Sequence, residues 1–113
     1  VKLNVHERMI IIPLLPEEES FAGIGEIYRL KQILQLTPEE AEEVTIIETN
    51  KDGEPIARRL DNVKGAAHVR EIPISEWMTK SIRKILSDKD KAKKLKENEQ
   101  SIFEKFCLDY DQR

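Results

Sequence analysis

The chain has 113 residues, of which 39% are hydrophobic and 36% charged, with a formal net charge of −3. That length suits one domain over residues 1–113 and leaves no room for a second core, while the charge exceeds the roughly 25% of an ordinary globular chain. One cysteine, Cys107, excludes an internal disulfide and a cysteine zinc cage, two histidines are too few for most metal sites, and six aromatics are too few for a base-stacking face.

In chain order, Asn4 is a helix N-cap, and Val5, Met9 and Ile12 share a helical face until Pro13 and Pro16 stop the run. The apolar stretch Met9 to Leu15 is not expected to be a secretory segment. Glu7 precedes it, no small-residue cleavage site follows, and it falls far short of the roughly 20 residues of a membrane span. Ser20 caps a second helix over about 20–35, its apolar steps at Phe21, Ile24, Ile27 or Tyr28, Leu30 and Leu34. Gly23 and Gly25 weaken its first turns, marking either a close helix contact or a delayed start.

Thr37-Pro38-Glu39-Glu40 is a capping-box sequence with proline where a missing amide is harmless, so a short helix begins there. Residues 44–60 read as a β-hairpin with Gly53 at a positive φ in its turn. A strand at 68–74 completes a small antiparallel sheet, with His68, Arg70, Ile72 and Ile74 on one face and Val69, Glu71 and Pro73 on the other. Ser75 then caps the clearest amphipathic helix, marked by Met78, Ile82, Ile85 and Leu86 with Trp77 beside them. The charged stretch 88–98 reads as a fray, a turn or a solvated segment. A last helix over about 97–108 brings back Ile102, Phe103 and Phe106 as an apolar stripe, with Tyr110 four residues after Phe106. The expected class is α+β, a small antiparallel sheet packed with N-terminal and C-terminal helices.

No pattern marks a reaction centre. Gly23-Ile24-Gly25 lacks the third glycine and the preceding strand of a dinucleotide loop, and the acidic runs lack the alternating oxygens of a calcium loop. His6 and His68 read as surface or edge side chains, and Cys107 reads as a half-buried structural thiol. The expectation is a non-enzymatic chain with no cofactor and no metal.

Charge is segregated. Residues 1–56 hold 5 basic and 12 acidic side chains, and residues 57–113 hold 14 and 10. Lys80, Arg83, Lys84, Lys91, Lys93, Lys94 and Lys96 form a basic segment suited to phosphates or to an acidic partner, although lysine in place of arginine also fits a solvated helix face. The leading expectation is protein binding or self-association through an apolar helix face flanked by charge. Nucleic-acid contact through 80–96 is the alternative, and a small enzyme without a sequence signature is the second alternative.

The layout of Asn4-Val5-His6-Glu7-Arg8, Leu14-Leu15-Pro16, Phe21, Glu39-Glu40-Ala41-Glu42-Glu43 and Ile102-Phe103-Glu104-Lys105-Phe106 resembles small uncharacterised proteins encoded by bacteriophages and prophages. The resemblance implies a phage or prophage genomic setting and a host cytoplasm, a compartment that one unpaired thiol also fits. It brings no catalytic or binding residues with it.

Overall fold

Asn4 serves two elements at once in the computed structural model, which describes residues 1–108. It ends strand β1 (Lys2–Asn4), which the sequence does not announce, and it caps helix α1 (Val5–Leu14). Its side chain accepts from the Glu7 amide at 2.8 Å while the Glu7 carboxylate accepts from the Asn4 amide at 2.9 Å. Pro13 sits in the last turn, and α1 ends one residue later. Val5 is buried as expected, but it is joined inside by Glu7, Arg8, Ile11 and Leu15, and Met9 and Ile12 are only half-buried. An arginine therefore occupies a core position.

Helix α2 (Phe21–Leu34) starts at the Ser20 cap and buries Ile27, Leu30 and Leu34 as expected. Phe21, Ile24 and Tyr28, which the spacing counts among its apolar steps, face outward instead. The two glycines separate cleanly. A Cβ on Gly23 would lie 3.1 Å from the Trp77 ring, so its bareness lets that ring approach, whereas a Cβ on Gly25 meets nothing within 4 Å. Helix α3 (Pro38–Val44) carries the predicted capping box, Thr37 and Glu40 exchanging bonds of 3.1 Å, and runs through Val44.

Strands β2 (Thr45–Thr49) and β3 (Pro55–Leu60) form the expected antiparallel hairpin, with Gly53 at φ +83° in the turn. Glu48 pairs with Ala57 and Thr49 with Pro55, so Ile56 is an extra residue without an opposite number, a bulge. The strand expected at 68–74 does not join this hairpin. It shrinks to β4 (Val69–Glu71) and pairs with β1, Leu3 opposite Arg70, giving two separate two-stranded sheets. Helix α4 (Asn62–Ala67) makes the difference, because it diverts the chain between β3 and β4. Asp61 caps it by accepting from the Val63 and Lys64 amides, and Gly65 admits the His6 ring, 3.0 Å from where a Cβ would stand. The two faces read for 68–74 are as expected: Ile72 is buried and His68, Arg70 and Ile74 partly so, with Val69, Glu71 and Pro73 exposed.

Helix α5 (Glu76–Lys91) buries Met78, Thr79, Ile82 and Leu86 and continues through Asp88 to Lys91, one turn into the stretch expected to fray or turn. Lys93, at φ +57°, turns the chain. The expected last helix over 97–108 is a continuous coil of three pitches: a 3₁₀ turn (Glu97–Glu99), α6 (Gln100–Phe103) and a π turn (Glu104–Leu108). It packs Ile102 and Phe106 into the same core as Leu3, Ile11, Leu34 and Leu86. Tyr110 lies outside the described residues. Among the described residues, no helix is long and apolar enough to cross a membrane.

Candidate functional site

Three charged features compete for a functional role, and their surroundings separate them. The first is internal. Arg8 is fully buried and donates to both oxygens of Glu40, at 2.6 and 3.2 Å, as well as to the carbonyls of Leu34 at 3.1 Å and Gln35 at 2.7 Å. Arg70 donates to Glu40 at 3.1 Å and to the Ile33 carbonyl at 2.7 Å. These are carbonyls of the last turn of α2, which an α-helix leaves without partners and with partial negative charge. Two arginines therefore cap the end of α2 while Glu40 caps the start of α3, and one ionic knot fixes the corner between them.

His68 completes the knot. Its Nε2 lies 2.8 Å from Glu40 and its Nδ1 3.4 Å from Glu43, so both ring nitrogens face carboxylates and neither is presented to a hydroxyl or thiol. The Arg8 guanidinium holds the Glu40 carboxyl far below the ordinary glutamate range, against burial that works the other way. The geometry is that of a clamp. Sequence reading missed it because Arg8 is one charge among many, and its inward position emerges only once α1 is oriented.

Glu7 and Glu99 repeat the device. Each is buried at the third residue of a helical turn, and each accepts from the amide three residues earlier. Each also holds a distant lysine, Lys105 on Glu7 at 2.7 Å and Lys89 on Glu99. Burial raises the Glu99 pKa, but the hydrogen bonds from Lys89 and the Lys96 amide outweigh it, and the net shift is downward.

The second feature is the predicted basic segment. Lys80, Lys84 and Lys91 recur at steps of four and seven on the outer face of α5, away from Met78, Ile82 and Leu86. Lys93, Lys94 and Lys96 follow in the exposed turn, and Arg83 flanks the row half-buried. Lys80 pairs with Glu76 at 3.3 Å in the same helix. Asp88 interrupts the row between Lys84 and Lys91, and the lysines of the last turn also complement the negative end of α5.

The third feature is apolar with a charged rim. Phe21 is 97% exposed, and Ile24, Tyr28 and Trp77 stand around it at 39%, 62% and 41%. They line one shallow depression between the starts of α2 and α5, with Gly23 and Gly25 as its floor. Six aromatics are too few for a large face, yet half of them gather here, a concentration that composition does not reveal. Glu26 lines the depression and Glu19 lies beside Gly23, an acidic rim that Glu17 and Glu18 precede and Glu76 adjoins in the sequence. Arg29, which also lines the depression, is engaged by Glu26 at 2.9 Å, and Lys80 on α5 is engaged by Glu76.

A separate groove of about 650 Å³ runs between α1, α3 and the hairpin, walled by Val5, Met9, Leu36, Ala41, Ile47 and Leu60. Cys107 is buried, its sulfur 3.7 Å from the Arg83 carbonyl and 3.8 Å from the Ser87 hydroxyl. Among the described residues, no group of three or more His, Cys, Asp or Glu side chains is placed to hold a metal ion. No protein-family profile matches the sequence, and no curated protein or solved structure gives a match.

Proposed function

We propose that this chain is a small non-enzymatic accessory domain that works by binding another protein, with Phe21, Ile24, Tyr28 and Trp77 as its contact face. The observation that carries this reading is the near-complete exposure of Phe21 among other large apolar side chains. Burying such a side chain contributes roughly 1.5–3 kcal/mol, and aromatics of this kind dominate the energetics of interfaces. The acidic rim selects the partner: an apolar segment flanked by Lys and Arg meets Glu17, Glu18, Glu19, Glu26 and Glu76 with opposite charge. The resemblance to phage and prophage proteins supports an accessory role in a host cytoplasm.

Trp77 is the only tryptophan and sits on the face itself, so its fluorescence reports occupancy directly. An amphipathic peptide with Leu and Phe on one side and Lys and Arg on the other is expected to shift Trp77 emission to the blue, saturably and less strongly in high salt. Phe21→Ser is expected to weaken that binding at least tenfold. An equal response to the same peptide with Glu in place of its cations, or none to either, would sink the proposal.

A second reading rests on the row formed by Lys80, Lys84 and Lys91 with Lys93, Lys94 and Lys96 beyond it. Such a row suits nucleic-acid phosphates, with affinity that falls steeply with salt and ignores sequence. A low-salt gel shift that Lys84→Glu with Lys91→Glu abolishes is its expected signature, and no retardation of any duplex or single strand would remove it.

A further inference from the structure

A two-stranded hairpin is marginal in water unless a third strand or a packed face supports it. Here β2 and β3 pair only with each other, and all of β3 except Leu60 is exposed. Its two outer edges differ. The β3 edge is blunted in three of the ways natural sheets use: Pro55 lacks an amide, Ile56 bulges, and Arg58 and Arg59 bring charge. The β2 edge, Thr45-Ile46-Ile47-Glu48-Thr49, has no proline, no bulge residue and no cation. Its one charge, Glu48, is held by Arg59 at 2.6 Å. Among the described residues, the backbone of Thr45–Thr49 makes no hydrogen bond outside the β3 ladder. A bare edge beside a guarded one marks where pairing is permitted.

We infer that β2 is a dimerisation edge that pairs antiparallel with β2 of a second copy, joining two hairpins into one four-stranded sheet. The segment is complementary to itself about Ile47. A two-fold axis there sets Ile47 against Ile47 of the partner subunit, Thr45 against the partner's Thr49, and Ile46 against the partner's Glu48. No like charges oppose one another. A slip of one residue would turn Ile47, which is half exposed and lines the groove with Thr45, to the other face of the sheet. The twofold contact closes at two copies, unlike a contact between the acidic and basic ends of the chain, which would propagate. A five-residue edge is small against the roughly 1,600 Å² of a standard interface, so the pairing is expected in the range of about 10 µM to 1 mM.

Analytical ultracentrifugation of the full chain across that range tests it. Reversible dimer that Ile47→Lys abolishes, with the far-ultraviolet circular dichroism unchanged, supports the proposal. Monomer throughout overturns it, as does dimer that survives Ile47→Lys. Loss of dimer with Phe21→Ser and not with Ile47→Lys overturns it in favour of self-association through the aromatic face. Register is read by cross-linking under mild oxidation. Ile47→Cys is expected to form a disulfide-linked dimer, while Glu48→Cys and the unsubstituted chain, whose only thiol is buried, do not. Faster cross-linking of Glu48→Cys than of Ile47→Cys rejects the Ile47-centred pairing.

Discussion

The corner at Glu40 and the face at Phe21 depart from the usual partition of residues in opposite directions. One takes Arg8 and Glu40 out of water, and the other leaves Phe21 and Tyr28 in it. Inside, desolvation costs several kcal/mol per ion, offset because each charge also satisfies helix-end groups that would be orphaned there. Outside, the Phe21 and Tyr28 rings are left largely to water, and the partner proposed above would supply the compensation. Buried charge here serves architecture, and the exposed apolar surface is what the proposed encounter would use.

Substitutions that touch one region and spare the other sharpen this contrast. The largest effect is expected from Glu40→Ala, which strands the Arg8 guanidinium without water or counter-charge. A loss of roughly 3–5 kcal/mol in urea denaturation is expected, and a loss below 1 kcal/mol would show that the corner is not a clamp. Acid provides a second route to the same break. Because the folded state holds the Glu40 carboxyl below its ordinary value of 4.5, the unfolded chain takes up the proton first. Glu40's contribution is therefore whole at neutral pH and is lost as pH falls through the ordinary glutamate range toward the lowered folded value. Glu99 acts in the same direction. Relative to Glu40→Gln, the unsubstituted chain is expected to lose stability faster on acidification, and parallel pH profiles would contradict this.

The glycines beneath the aromatic face give a smaller and two-signed effect. Gly25→Ala meets open space and is expected to raise stability by about 0.5–1 kcal/mol, whereas Gly23→Ala displaces Trp77 and Glu19 and is expected to lower it. Thermal unfolding of the two variants, with Trp77 fluorescence, checks both signs. The smallest effect belongs to Phe21→Ser, within about 0.5 kcal/mol of the parent because the ring touches so little. A larger loss would make Phe21 part of the core and break the comparison from the other side.

Local grammar was legible along the chain and long-range pairing was not. Asn4 and Thr37, each followed three residues later by glutamate, announce their caps because a cap is decided within four residues. Gly53 announces its turn for the same reason. Strand β1 is only three residues long, and its partner lies near residue 70, so nothing in its neighbourhood distinguishes it from a loop. Helix α4 has no apolar periodicity and depends on Asp61 and on the fit of Gly65 against His6. At the aromatic face the spacing of Phe21, Ile24 and Tyr28 was visible, but helical periodicity identifies a shared side of a helix and not what covers it. The basic row on α5 was readable from its own residues because it belongs to one helix.

The pairing of β1 with β4 also sets an order of events at synthesis. Leu3 belongs to the core, yet the strand that holds its neighbours in place is made more than sixty residues later. At about 5–20 residues per second, that interval is roughly 3–13 s. Through those seconds α2, α3 and the hairpin can form from local contacts while the first strand waits. The last helical coil, which delivers Lys105 to Glu7, then closes the molecule onto its own beginning.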